Sequence, residues 1–275
     1  MTSIQNYTIL NNGVKMPWLG FGVYLIQEGE EAGKAIGKAL EVGYRSIDTA
    51  SIYKNETGVG EVIKQSGIPR EEIFLTTKVW NDDLRKKRTT AAFEESLNRL
   101  DTDYVDLLLI HWPVEDYYLD AWKEMEAIYE SGRAKAIGLS NFMIHHLKDV
   151  LGNCTVHPMV NQVEFHPWLL QPELLEFCQA NQIQVEAWSP LIKGKVTEID
   201  EFIALGKKYG KSPAQIALRW SLQHQVVVIP KSSNPQRISE NSQIFDFELT
   251  PTDMDLLDSL DQGKRIGPDP DNFDF

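Results

Sequence analysis

The chain has 275 residues, 42% hydrophobic and 24% charged, with 40 Asp+Glu against 27 Lys+Arg and a formal net charge of −13. Such a length suits one large α/β domain or two medium ones with a substantial core. The acidic balance argues against nucleic acid or an anionic membrane as the main partner, so an anionic ligand requires a local basic pocket.

The opening "MTSIQNYTIL" has no basic segment and no long apolar core. No apolar run approaches the roughly 20 residues of a membrane span, so a cytoplasmic protein is expected. Cys154 and Cys178 have neither disulfide-framework nor metal-ligand spacing and read as reduced thiols; no metal is expected. The glycosylation patterns at Asn55 and Asn153 carry no weight without an export signal.

In chain order, "YTILNNGVKMP" reads as a hairpin turning at Asn11-Asn12-Gly13, a plug under whatever follows. Eight apolar runs then predict strands over 19–24, 45–49, 73–79, 104–112, 134–141, 158–166, 183–189 and 226–232. Helical patterns separate them. Leu119, Trp122, Met125 or Glu126, and Ile128 or Tyr129 recur at three-to-four spacing before Gly132, and Gly43 and Gly67 read as helix ends. Ser212, Pro213 and Gln215 spell a capping box. Further helices are expected from about Asn234 and from Thr250-Pro251, before an irregular tail.

Near-continuous apolar strands alternating with helices imply a parallel sheet covered on both faces. Eight units in one chain predict a closed (β/α)8 TIM barrel, an α/β fold with an N-terminal β-hairpin and extra C-terminal helices, forming a single domain over 1–275. The rival open doubly wound sheet lacks its glycine fingerprint: "GVGEVI" from Gly58 has Ile63 where the third glycine belongs and follows no strand.

In a barrel, chemistry sits at the C-terminal strand ends. Those of the second, third and fourth strands carry Asp48, Lys78 and His111, with Tyr53 on the loop after Asp48. Neighbouring strands lie about 4.8 Å apart, which brings the four into one volume. Singly, Asp48 reads as a loop hydrogen-bonder, Tyr53 as packing and His111 as a core histidine. Lys78 inside "IFLTTKV" resists such a reading, because an unpaired buried ammonium costs several kcal/mol or loses its proton. A carboxylate keeps the lysine charged, and the ammonium is expected to lower the pKa of the phenol for acid–base work, while the histidine holds a carbonyl oxygen. That set suits protonation of an oxygen as hydride reaches its carbon from a nicotinamide. A Schiff-base aldolase with Lys78 as nucleophile is the other chemistry, disfavoured because a nucleophilic amine must be neutral.

The segment "VVVIPKSSNPQRISEN" joins the eighth strand to a helix capped at Asn234. Lys231, Ser232 and Arg237 beside free backbone N–H groups read as a phosphate cradle, favouring NADPH over NADH. Ser140, Asn141, Gln162 and Ser189 offer neutral hydrogen bonds for a carboxamide and ribose, and Tyr24, Trp80, Trp112 and Trp188 crowd the expected mouth.

These segments resemble the aldo-keto reductases over about residues 13–260: "GYRSIDTASIYKNETGVG", "LLLIHWP", "MVNQVEFHP", "EAWSPL" and "IPKSSNPQRISEN". The resemblance implies NADPH bound without a Rossmann fold, and carbonyl reduction by a tetrad of Asp48, Tyr53, Lys78 and His111. Tyr53 is then the acid, Lys78 and Asp48 its tuners and His111 the orienter of the carbonyl. It places Ser140, Asn141 and Gln162 at the carboxamide and Trp188 as the stacking ring. Gly22, Val23, Tyr24, Ser189, Pro190 and Leu191 join the cofactor contacts; Lys231, Ser232, Arg237, Glu240 and Asn241 take the adenosine end. Tyr24, Trp80, His111 and Trp112 are the implied substrate contacts. Within the family the chain is most similar to small bacterial glyoxal or methylglyoxal reductases, 2,5-diketogluconate reductases and prostaglandin F synthase-like enzymes. Reduction of small aldehydes and α-dicarbonyls by a monomer is expected. A keto-sugar reductase and a non-catalytic NADPH-binding sensor barrel are the alternatives. The short "WPVEDYYLD" connection and brief tail predict a wide, open pocket.

Overall fold

The computed structural model describes residues 1–275. Strands β1 (Tyr7–Ile9) and β2 (Lys15–Pro17) form an antiparallel hairpin. Eight parallel strands follow in one sheet: β3 (Phe21–Gly22), β4 (Ser46–Asp48), β5 (Phe74–Val79), β6 (Leu107–Ile110), β7 (Ile137–Ser140), β8 (Val160–Glu164), β9 (Gln184–Trp188) and β10 (Val227–Val228). The sheet's ends meet, with Leu19 bridging Val228 and the Gly20 N–H donating to the Val228 carbonyl at 2.9 Å. This is the expected (β/α)8 barrel.

Around it lie α1 (Glu30–Glu41), α2 (Glu56–Gln65), α3 (Asn81–Arg85), α4 (Thr89–Leu100), α5 (Tyr118–Glu130), α6 (Ile144–Asn153), α7 (Pro172–Ala180), α8 (Asp200–Tyr209) and α9 (Pro213–Gln223). Then come α10 (Pro235–Asn241) and α11 (Pro251–Asp258), the extra C-terminal helices. Their limits follow local chemistry. Ser212 and Thr250 each cap a helix through a reciprocal box, and Pro213 and Pro251 occupy first-turn positions that need no N–H. Gly43 and Gly67 end α1 and α2 at φ of 107° and 69°. No helix is long and apolar enough to cross a membrane.

The seam strands are shorter than their apolar runs suggest, two residues each in β3 and β10. Pro230 has no amide hydrogen, so the ladder stops before it. On the other side of the seam the chain turns at Leu25, whose φ is 62°. Alternation in β5 sorts the polar residues: the Thr77 hydroxyl donates to Glu56 of α2 at 2.5 Å on the helix side, while Lys78 points into the barrel.

The hairpin closes the N-terminal end of the barrel. Asn11 Nδ2 donates to the carbonyls of Pro158 at 3.0 Å and Gln182 at 3.2 Å, and Asn12 Nδ2 to that of Lys135 at 2.9 Å. Each acceptor lies just ahead of β7, β8 or β9, and Leu10 and Met16 are buried between them.

Helices α2 and α4 pack tightly at Gly60, where a Cβ would lie 2.3 Å from the Leu100 carbonyl oxygen. A backbone oxygen cannot rotate away. Gly60→Ala is therefore expected to destabilise the fold by about 1–3 kcal/mol. The measurement is a denaturant melt, with a lowered midpoint and an unchanged slope; a wild-type midpoint contradicts the packing described.

Candidate active site

Asp48 ends β4 in register with Thr76, and Lys78 on the next strand is opposite Leu109. Lys78 is 1% exposed. Its Nζ donates to Asp48 Oδ1 at 2.6 Å and to the Thr49 carbonyl at 2.9 Å, and lies 5.3 Å from the centre of the Tyr53 ring. Tyr53 closes a 3-10 turn at Ser51–Tyr53, tied to β5 by the Ser51 hydroxyl donating to the Lys78 carbonyl at 3.0 Å. Buried Asn55 locks the same loop, donating to the carbonyls of Val23 and Ile26, both at 2.9 Å. His111 follows β6, edge-on to Tyr53 at 5.7 Å and to Trp80 at 5.1 Å between ring centres. The four predicted tetrad residues thus converge.

Burial opposes the Lys78 charge, but Asp48 and Tyr53 outweigh it and raise the ammonium's pKa. A lysine so held is no neutral nucleophile, which disfavours the aldolase reading. The expected lowering of the phenol is not met. Burial pushes Tyr53 up to about 12; Lys78 pulls it down, but burial together with Asp48 prevails. The phenol therefore keeps its proton near neutral pH. Burial, then Lys78, hold the His111 imidazole neutral, well below its ordinary pKa. Its buried Nδ1 has no partner, so placing the single N–H on Nε2 leaves Nδ1 as a bare lone pair.

Asn141 and Ser189 end strands with left-handed backbones, φ 66° and 53°. Asn141 Nδ2 donates to the His111 carbonyl at 3.0 Å, and its Oδ1 accepts from Trp188 Nε1 at 2.8 Å. The Ser140 hydroxyl donates to the Gln162 carbonyl at 3.0 Å. Gly22, Val23 and Pro190 are buried beside the seam and β9, Leu191 is half-buried, and Tyr24 is exposed with its ring 4.9 Å from that of Tyr53.

The predicted phosphate segment needs a correction. Asn234 Oδ1 accepts from the N–H groups of Gln236 and Arg237, at 2.9 and 3.1 Å, so those first-turn donors are not free. Lys231 and Arg237 are exposed and form no ion pair, so their side chains, rather than the first-turn amides, remain available to an anion. Ser232 is half-buried, Asn241 is buried, and Glu240 lines a groove of about 450 Å³ with Lys38, Gln236, Ser239 and Gln243.

The mouth is not the open one expected. The tail folds back across it: Phe275 stacks on Trp80 at 5.7 Å and meets Trp112 edge-on at 5.1 Å, and Phe273 packs on Trp112 at 5.2 Å. The Phe275 carbonyl accepts from Asn81 Nδ2 at 3.1 Å and from Arg85 at 2.9 Å. Upstream, buried Glu164 accepts from the Ile266 N–H at 2.6 Å, and Gly267 passes so near Trp188 that a Cβ would lie 2.3 Å from its ring. Sequence reasoning missed these tail contacts. It also missed Glu186, fully buried on β9, whose Oε2 accepts from Gln162 Nε2 at 2.7 Å while Asp48 Oδ2 accepts from the same nitrogen at 2.8 Å.

A barrel with this arrangement at its C-terminal end defines a class. Residues 19–262 match the Aldo/keto reductase family, and the chain belongs to that family. It is 52% identical to a glyoxal reductase of Bacillus subtilis, covering 100% of this chain and 99% of that protein. It is 50% identical to the methylglyoxal reductase DkgA of Salmonella typhimurium, covering 96% of each. Among solved structures, an aldo-keto reductase from a Medee basin deep-sea metagenome library superposes with a TM-score of 0.95 at 44% identity, covering 98% of this chain and 100% of that one. An aldo-keto reductase complexed with NADPH superposes with a TM-score of 0.90 at 35% identity, covering 96% of this chain and 90% of that one. The protein is an oxidoreductase enzyme.

Glu186 titrates far from its ordinary range. Burial, then Asp48, push its carboxyl up to about 8 against the opposing pulls of Gln162 and Lys78. The folded state thus keeps a proton that the unfolded chain releases near pH 4.5, so stability falls as pH rises from there to about 8. Glu186→Gln removes this titration. In melts across that window, the variant's melting temperature is expected to gain on wild type as pH rises; parallel curves contradict the assignment.

Proposed function

We propose that the enzyme reduces small aldehydes and α-dicarbonyls of the glyoxal and methylglyoxal type to alcohols, with NADPH as the reductant. The observation that carries this reading is Lys78, buried and charged against Asp48, beneath a phenol that keeps its proton and beside a neutral imidazole.

The residues fit the cofactor. Unpaired Lys231 and Arg237 suit a 2′-phosphate, Gln162 Oε1 and the remaining lone pair of Asn141 Oδ1 suit the N–H groups of a carboxamide, and the Trp188 ring suits a flat heterocycle. When bound, the nicotinamide supplies a hydride to the carbonyl carbon. His111 Nε2–H donates to the carbonyl oxygen and aligns it. Tyr53 transfers its phenolic proton to that oxygen as negative charge develops there, which completes the two-electron reduction. Lys78 then stabilises the tyrosinate, and Asp48 keeps Lys78 charged. The rings of Trp80, Trp112, Phe273 and Phe275 form an apolar roof over this point, suited to small uncharged carbonyl compounds. The relatives' names support the dicarbonyl class. Sugar acids fit this uncharged roof less well.

Tyr53→Phe is expected to abolish methylglyoxal reduction while NADPH still binds, as read by NADPH consumption beside fluorescence titration. Turnover at the wild-type rate in that variant shows the acid to be elsewhere. Lys231→Ala or Arg237→Ala is expected to raise the KM for NADPH by about tenfold per lost charged contact and to leave that for NADH nearly unchanged. Equal losses for both cofactors remove the 2′-phosphate assignment.

A further inference from the structure

Glu186 has no part in the proton transfer described above, yet it is fully buried inside the barrel and within reach of the tetrad. The side-chain amide of Gln162 has two hydrogens, and they are divided between two carboxyl groups: Asp48 Oδ2 at 2.8 Å and Glu186 Oε2 at 2.7 Å. The Asp48 carboxylate can only accept, so it bars the amide from facing the other way, and Glu186 Oε2, by accepting the second hydrogen, holds the amide in its plane. Its Oε1 is left as the acceptor for a ligand's N–H. Asp48 alone does not achieve this, because one remaining hydrogen bond permits the amide to swing.

We infer that Glu186 is a positioning residue: by holding the second hydrogen of Gln162, it presents Gln162 Oε1 to the nicotinamide carboxamide and links cofactor binding to Asp48 of the tetrad. The inference rests on the cofactor reading above. The titration of Glu186 agrees with this arrangement. With its carboxyl pushed up to about 8, the group is protonated near neutral pH and accepts at Oε2 without placing a second negative charge beside Asp48. The proton then sits on Oε1, the atom that has no protein partner. The titratable groups facing Glu186 are Asp48 on β4 and Lys78 on β5, so the Asp48–Lys78 pair stays electrically balanced.

The test is the affinity for NADPH, read by quenching of tryptophan fluorescence so that it does not depend on turnover. Glu186→Leu removes the acceptor and is expected to weaken NADPH binding by about tenfold. Glu186→Gln keeps an acceptor oxygen for Gln162 and is expected to recover most of that loss. Gln162→Leu is expected to weaken binding as well, and adding Glu186→Leu to it should cost nothing further, because the second residue acts through the first. Glu186→Met replaces Glu186→Leu if the latter fails a thermal-melt check for folding. Additive losses in the double variant, or wild-type affinity in Glu186→Leu, overturn the inference. Wild-type protein that binds NADPH but reduces no carbonyl defeats the proposed reaction alone, and wild-type protein that does not bind NADPH defeats both.

Discussion

The ion pair between Lys78 and Asp48 constrains everything built around it. Neither charge is stable alone inside the barrel, since burying an isolated ion costs several kcal/mol even after relaxation. Removing either partner leaves the other uncompensated. The pair is held by two adjacent strands at their fixed spacing, with the Thr49 carbonyl as a further acceptor. Tyr53 and His111 inherit their chemistry from it: Lys78 offsets part of the burial that raises the phenol, and it helps to keep the imidazole neutral. The site is therefore a property of strand order, with loops adding one ring to a pre-set charge arrangement.

The polar interior extends past the tetrad. From Lys78 through Asp48, Gln162 and Glu186, hydrogen bonds or ion pairs link β5, β4, β8 and β9 across the barrel. In a low-dielectric interior such a chain is strong when satisfied and costly when broken. Here it is satisfied within the protein except at Glu186 Oε1, which is buried without a partner, and at Gln162 Oε1, which is left for a ligand.

The strand ends, helix caps and tetrad were legible because each depends on local pattern plus one fold rule. Asp48, Lys78 and His111 are polar residues closing successive apolar runs, and a parallel barrel brings such positions together. Ser212 and Thr250 carry their capping partners within three residues. Glu186 was hidden for the opposite reason. In "IQVEAWS" it alternates with apolar neighbours like an outward-facing residue, and only the register of β8 against β9, with Gln162 opposite Glu186, brings the two together. Phe273 and Phe275 lie about 160 residues beyond the Trp112 they cover, and no periodicity records such a contact. The phosphate segment was half legible: Lys231 and Arg237 are free as read, but the Asn234 that caps α10 occupies the backbone donors assigned to the ligand. The sign of the pull of Lys78 on Tyr53 is legible from their pairing, whereas its size against burial depends on the folded interior.

The hairpin at the base makes the barrel a cup. With Asn11 and Asn12 fastened across the strand starts and Leu10 and Met16 buried beneath, the base is closed, and Tyr53 lies toward the opposite end, the one that Phe275 covers. For the proposed chemistry, the proton that replenishes Tyr53 arrives by the route along which the alcohol departs. Release and reset then both take place at the covered end of the barrel.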